Sequence, residues 1–409
     1  MALQKLWIMA FRDLGRNRRR TLLTMVGVSL GLALIIMMSG LIAGMLDSTL
    51  QDTIRLQTGH LQLRSVSYEE TKSSLLADDL LADSEDLLAQ LQARPEVESA
   101  TAVLWASGIL HTNQESTGLK IVGIDPSADF HRHLADGLQA GEFLSTDDRR
   151  GILISKRLGD SMNVRVGDRI SLAVGTGEGE PEEGIYTVRG LFTTGFPGYD
   201  DSTVFLPLET LQSLTRVGSR TSSIIVMLHN RDDSEALATA VQVPGVVALT
   251  WFDLNSLMLE TLELAQVFYN FMYGIVILIV AVIIANTLLM AVFERIREMG
   301  ILAALGMKGR QIMTMLLFES AILALVGIML GVVLGSALVI YLSNVGIPIG
   351  DAAASSAGSF TIGTVMYTKF VPADIFQLSA WMLGIILLVS IYPAWYAARL
   401  EPVRALHSL

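Results

Sequence analysis

"ERIREMGILAALGMKGRQI", residues 294–312, lies between two long apolar runs and decides how the chain is read. Its ends are charged and its middle is apolar. Met299, Ile301, Leu302 and Leu305 offer a greasy surface, bracketed by Gly300 and Gly306. The helix these residues predict is too short and too charged to cross a bilayer, which takes about 20 apolar residues. Gly306 is well placed to end it. The stretch is also too apolar for a plain solvated turn. It predicts a short helix that docks into a groove on a partner.

The runs on either side, 266–293 and 312–341, are long enough to span, and so are 21–45 and 375–398. Hydrophobic residues make up 51% of the 409 and charged ones only 17%, and the mean hydropathy is +0.50. That composition is a membrane protein's. The first run, with 25 residues, exceeds a cleaved signal's apolar core and reads as a retained anchor. No cysteine is present, which excludes disulfides, thiolate catalysis and Cys metal sites. The net charge of −11 argues against nucleic acid as a partner.

Positive charge sets the orientation. Residues 1–20 hold Lys5, Arg12, Arg16, Arg18, Arg19 and Arg20. Residues 294–311 hold Arg295, Arg297, Lys308 and Arg310, and the tail 399–409 holds Arg399 and Arg404. These segments are expected in the cytoplasm. The loop 342–374 has only Lys369, and the segment 46–265 has 33 acids against 16 Lys and Arg. Both are expected outside. Along residues 1–20, Leu3, Leu6, Trp7, Ala10, Phe11 and Leu14 follow helical spacing, which predicts an amphipathic helix on the cytoplasmic leaflet.

Within the spans, Gly27 and Gly31, Gly40 and Gly44, and Gly327, Gly331 and Gly335 recur four residues apart. Glycines so spaced share one helix face and let two backbones approach, predicting a tight bundle or dimer seam. Asn286 and Glu319 are polar residues inside spans, where a carboxylate needs a partner or water. A basic residue of the N-terminal helix or of the 294–311 loop is expected against Glu319.

The outer segment contains an echo. "DSEDLLAQLQARPEVESATAVL" (83–104) and "DSEALATAVQVPGVVALTWFD" (233–253) each run from Asp-Ser through a helical pattern, then Pro, then a strand-like run. They predict a duplicated α+β module, 46–104 and 226–265, split by an insertion at 105–225. "GLKIVGID" (118–125), "GILIS" (151–155), "DRISLAV" (168–174), "IYTVRGLF" (185–192) and "STVFLPL" (202–208) make that insertion β-rich. His60, His111, His131, His133 and His229 are scattered. The His131-x-His133 pair lacks further ligands and reads as structural or solvated rather than metal-binding. No catalytic constellation is visible.

The 294–312 run resembles the signature of the FtsX/MacB-type permease family. The opening "RDLGRNRRRTLLTMVGVSLGLAL" (12–34) and the closing "YPAWYAARLEPVRAL" (392–406) are similar to that family's ends, so the likeness covers the whole chain. It implies an α+β membrane protein: four transmembrane helices, with a large extracytoplasmic α+β domain, porter-like with a β-rich insertion, between helices 1 and 2. It implies an ABC transporter of the mechanotransmission type in a bacterial inner membrane. There a second permease copy or related permease pairs with this chain, and a cytoplasmic ABC ATPase dimer binds ATP and Mg. The sequence holds no G-x4-GK[ST] loop, so no nucleotide cofactor and no enzymatic activity is expected of this chain.

By the same resemblance, 294–306 is the coupling helix on the ATPase, with Glu294, Arg295, Arg297, Glu298, Gly300, Ile301, Leu302, Leu305 and Gly306 as its residues. "TGHLQLR" (58–64) and "LFTTGFPGYDDSTVFLPLETLQSL" (191–214) look most like the lipoprotein-releasing permeases LolC and LolE. That branch implies a lipoprotein or other amphiphilic substrate, with acyl chains near Ile42, Met45, Val267 and Phe271. A MacB-like efflux permease for a drug, peptide or toxin, and an FtsX-like regulator of an outside partner, are the alternatives. The short acidic turn at 175–184 departs from the apolar hook by which one releasing permease docks a chaperone.

Overall fold

A computed structural model describes residues 7, 9, 10, 12 and 16, and 18–399 apart from 70–72, 83, 113–114, 242 and 351–363. The chain divides into two compact units. One comprises the chain up to Asp47, Thr261–Ile347 and the chain from Met366; the other is Ser48–Glu260 with Pro348–Val365.

The first long helix, α1, is Arg18–Thr53. After it, β1 (Leu61–Ser65), α2 (Ser84–Gln92) and β2 (Val97–His111) form a strand–helix–strand unit. Glu85 and Asp86 sit in the first turn of α2, where acids suit the helix dipole. The chain continues through β3 (Ser116–Ile124), β4 (Leu138–Gly141), β5 (Gly151–Ser155), α3 (Lys156–Ser161), β6 (Arg169–Gly175), β7 (Pro181–Phe192), β8 (Thr203–Pro207) and α4 (Leu208–Thr215). A second strand–helix–strand unit follows as β9 (Ser223–Leu228), α5 (Ser234–Ala240) and β10 (Val246–Thr250).

One sheet holds these ten strands, in the order β10-β1-β9-β2-β3-β8-β5-β7-β4, with β6 against β2 and β7. β2 is long because two cores share it. Its residues 97–103 pair antiparallel with β9, and its residues 104–111 pair with β3. On the first side Leu61, Leu63, Leu91, Ile224, Val226 and Leu237 close a core between the sheet and α2 and α5. On the other, Ile121, Ile154, Val188, Phe192 and Phe205 fill a larger one. Phe192 and Phe205 meet edge to face at 5.3 Å between ring centroids.

Asp200 fixes the corner between β7 and β8, accepting from Thr193 Oγ1 at 3.0 Å, Thr194 Oγ1 at 2.6 Å and the Thr194 N–H at 3.1 Å. Burial raises its carboxyl pKa, and the Thr194 and Thr193 donors pull it back.

The helical unit is completed by α6 (Ser256–Glu294), the short α7 (Ile296–Ala304), α8 (Gly309–Val345) and α9 (Pro372–Ala398). Among the described residues, four of its helices are long and apolar enough to cross a membrane. Leu32, Ile35 and Ile36 of α1, Ile277 and Ile284 of α6, and Met382 and Ile386 of α9 share one buried cluster. The helices overrun the apolar runs. α1 reaches Thr53 where the run stops at 45, and α6 begins at Ser256 where its run begins at 266. Asp47, Glu260 and Glu263 end the hydropathy, while the Leu and Glu around them keep helical propensity.

Candidate functional site

The α7 helix has two faces. Arg295 and Met299 are buried, at 5% and 4% exposure, and Gly300 is buried beside them. Met299 roots the helix in a cluster with Val292, Ile312, Leu316, Ala394 and Ala397. Ile301 and Leu305 point outward, at 47% and 80% exposure, and Glu294, Arg297, Glu298 and Gly306 are exposed with them; Leu302 is half-buried. Of the nine residues proposed from the sequence for coupling, Arg295 and Gly300 therefore lie on the rooted side. Gly306, at φ +91°, ends the helix. The Met307 N–H reaches back to the Leu302 carbonyl at 3.0 Å, the long bond of a glycine-terminated helix. Gln311 Oε1 then accepts from the Lys308 N–H at 2.9 Å and starts α8.

The N-terminal segment belongs to the same end of this unit. Arg16 forms an ion pair with Glu298 of α7. Trp7 meets Phe318 of α8 edge to face at 5.7 Å, and Ala10 is fully buried with Met315, Ile322 and Leu323. The expected stripe lies partly outside the described residues, at Leu3, Leu6, Phe11 and Leu14. Its described members pack on protein, and Trp7 also remains 43% exposed. Glu319 is 1% exposed.

The glycines proposed for packing separate into two kinds. A Cβ on Gly327 would lie 2.7 Å from Val28 Cβ, and one on Gly335 would lie 2.9 Å from Ile36 Cβ. Gly331 faces Leu32 in the same way. Gly31 faces Val280 of α6, with 2.7 Å to its methyl. A Cβ on Gly27 would meet nothing within 4 Å among the described residues. The α8 glycines are therefore the seats of α1 side chains, as small residues in membrane helices allow.

A second contact was missed in the sequence. The backbone of 367–369 crosses α1 at Gly40 and Gly44. The Lys369 N–H donates to the Gly40 carbonyl at 2.8 Å, and a Cβ on Gly44 would strike the Tyr367 carbonyl oxygen. Lys369 Nζ pairs with Asp47 at 2.7 Å, and Thr368 Oγ1 donates to the Val339 carbonyl of α8 at 2.6 Å. Just beyond, Ser39 Oγ donates to Asp374 Oδ2 at 2.9 Å. The signals were Gly40-x3-Gly44 and the lone lysine of the 342–374 loop.

The four residues proposed to touch substrate do not share an environment. Val267 and Phe271 are 66% and 65% exposed, and they continue along α6 into Ile275, Leu278 and Val282. Met45 is half-buried, and Ile42, at 8% exposure, lies within the helical cluster.

In the outer domain His131 is buried and His133 is exposed. Among the described residues no group of three or more His, Asp or Glu is placed to hold a metal ion. At 175–184, Arg216 clamps the acidic turn through Glu178 at 3.1 Å and Glu182 at 2.8 Å.

Residues 21–243 match the family model of the MacB-like periplasmic core domain, and residues 270–402 match that of the FtsX-like permease C-terminal. The lipoprotein-releasing system transmembrane protein LolC of Xylella fastidiosa is 23% identical over 286 residues, 66% of this chain and 66% of that protein. The macrolide export ATP-binding/permease protein MacB of a Shewanella species is 25% identical over 417 residues, 97% of this chain and 60% of that protein. The periplasmic region of MacB from Actinobacillus actinomycetemcomitans is similar over 51% of this chain and 97% of its own, at 15% identity and a TM-score of 0.34.

Proposed function

The chain belongs to the family of FtsX-like permeases that carry a MacB-like periplasmic core domain, and from that membership we propose that it is the permease subunit of an ABC transporter whose ATP is bound and hydrolysed by a separate cytoplasmic ATPase dimer. A second permease, identical or related, completes the complex. Both termini and α7 face the cytoplasm, and the ten-stranded domain faces outward from a bacterial inner membrane. The substrate is a lipoprotein or another amphiphile, taken from the membrane along the exposed apolar face of α6 at Val267 and Phe271.

One observation carries the coupling role. α7 is rooted by Met299 while Ile301 and Leu305 stand outward among Glu294 and Arg297. A bare apolar pair ringed by charge has the form of a docking hot spot with a polar rim. Closure of an ATPase dimer gripping that face would move the cytoplasmic ends of the spans. A second reading, export of a drug, peptide or toxin, is favoured by the MacB match over 97% of the chain.

The test is co-purification and hydrolysis with the ATPase subunit supplied. Leu305→Asp is expected to lower ATPase capture about tenfold or more, the loss of one apolar anchor, while the chain still inserts and folds. Unchanged capture and unchanged substrate-stimulated hydrolysis in Leu305→Asp and Ile301→Asp would remove α7 from the coupling role.

A further inference from the structure

Asn286 sits well inside the span of α6. No charged residue stands between Glu263 and Glu294. Asn286 lies eight residues before Glu294, about 12 Å along the helix at about 1.5 Å per residue. The headgroup layer is only about 5–7 Å deep on each side of the hydrocarbon. The amide is therefore at the level of lipid tails, which offer it neither donor nor acceptor.

The helix turns this amide away from its own bundle. Ile277, Ile284 and Leu288 of α6 are buried in the helical cluster. Ile284 and Leu288 are each two residues from Asn286, about 200° round the helix, so Asn286 faces the opposite way. It is exposed, and Ile275, Ile279, Val282, Met290 and Phe293 are exposed with it at helical spacing. One amide thus stands in an otherwise apolar stripe. Its neighbour Thr287 satisfies its hydroxyl locally, donating to the Ile283 carbonyl at 2.8 Å. Asn286 makes no hydrogen bond with any described residue.

An acyl chain cannot meet that amide, whereas a second asparagine can. The side chain carries both a carbonyl acceptor and N–H donors, so two copies of it are self-complementary. Two chains inserted in the same sense hold Asn286 at the same depth, and a two-fold axis along the membrane normal brings like residues together. The flanking isoleucine, valine and methionine side chains supply the packing that holds helices together in lipid. A single polar residue in such an apolar seam fixes register and partner number.

We propose that this face of α6 forms a seam with α6 of a second copy of the chain, registered by a reciprocal pair of hydrogen bonds between the two Asn286 amides. The seam rests on the paired-permease reading above and narrows it to an identical partner.

The test uses the full chain in phosphatidylcholine vesicles. The parent has no cysteine, so Asn286→Cys and Ile279→Cys each carry a single thiol, and Ile279→Cys keeps the amide. With a lipid-soluble oxidant both are expected to form disulfide-linked dimers, while Met329→Cys, exposed on α8, forms none. Absence of dimers at both α6 positions overturns the proposal, and so does equal crosslinking at Met329→Cys, the mark of random collision. The amide is tested by energy transfer between labelled copies diluted in lipid. Asn286→Leu is expected to weaken self-association about three- to thirtyfold, the range for interhelical hydrogen bonds in a bilayer, and Asn286→Gln, which keeps the amide, to weaken it less. Because Asn286 bonds to no described residue, folding of the single chain is not at stake. Unchanged association in Asn286→Leu overturns the proposal. Pairing of the parent through another face, or only with a different permease, removes this seam and leaves the paired-permease reading standing. A parent that stays monomeric with the ATPase bound removes both.

Discussion

Gly331 of α8 lies so close to Leu32 of α1 that a Cβ on the glycine would stand 2.9 Å from the leucine's Cβ and 2.9 Å from the Ser29 carbonyl oxygen. The same relationship joins Gly327 to Val28 and Gly335 to Ile36. Both partners advance by four residues at each step, so the two helices run parallel, held by a row of side chains seated on bare backbone. Any side chain at the centre of that row must push backbone apart, because its nearest neighbours are main-chain and Cβ atoms, which cannot rotate away. Gly331→Ile is therefore expected to lower stability by about 1–3 kcal/mol or more, read as a fall in melting temperature of the full chain in detergent. Gly27→Ala is the comparison. With nothing within 4 Å of its Cβ among the described residues, it should melt no lower than the parent, since alanine is the better helix former. Equal melting of Gly331→Ile and the parent would mean the seam does not exist.

The strap at 367–369 separates backbone packing from charge. Gly44→Val should displace it, since the valine would meet the Tyr367 carbonyl and the backbone around Thr368. Lys369→Met removes only the pair with Asp47, whose two side chains are 49% and 31% exposed. Such a pair contributes about 0–1 kcal/mol. The expected order in thermal melts is a clear loss for Gly44→Val and little change for Lys369→Met. The reverse order would show that the ion pair, and not the close backbone approach, holds the segment.

His131 gives the outer domain a defined acid sensitivity. Its pKa falls from 6.5 to about 4 on folding, chiefly by burial. Above pH 6.5 both folded and unfolded chains hold it neutral, and it adds no pH dependence. As pH falls from 6.5 towards 4, the unfolded chain takes up a proton that the folded chain refuses, and stability is lost. The full loss, reached below about pH 4, amounts to about 3 kcal/mol. Melting curves between pH 7 and pH 4.5 should therefore steepen less for His131→Phe than for the parent. Parallel curves would show that His131 takes up its proton without unfolding.

Much of this was legible in the sequence for physical reasons. Four spans announce themselves because lipid demands uninterrupted apolar length, and Gly306 marks the end of α7 because only a residue without a Cβ sits easily at positive φ. The helix–turn–strand runs at 83–104 and 233–253 lie at α2–β2 and α5–β10, with the β-rich strands between them. What stayed hidden depends on partners far along the chain. Nothing local says that Arg295 turns inward while Arg297 turns outward, because that needs Ile312, Leu316 and Ala397 in place around Met299. Ile42 reads like Val267 in sequence, yet one is buried in the helical cluster and the other is exposed. The strap at Thr368 and Lys369 has no periodicity to reveal it. His131-x-His133 looks symmetrical in sequence and splits into one buried and one exposed imidazole.

The most direct test is cysteine labelling at Leu305. The parent chain has no cysteine, so Leu305→Cys carries a single thiol, at a position 80% exposed in the parent. Inverted membrane vesicles would be treated with a membrane-impermeant maleimide, with and without the ATPase subunit bound. A cytoplasmic α7 seated on the ATPase predicts rapid labelling of bare vesicles and protection when the ATPase is present, with Ile185→Cys in the outer domain unlabelled in both. Labelling of Leu305→Cys only in right-side-out spheroplasts, or labelling indifferent to the ATPase, would contradict it.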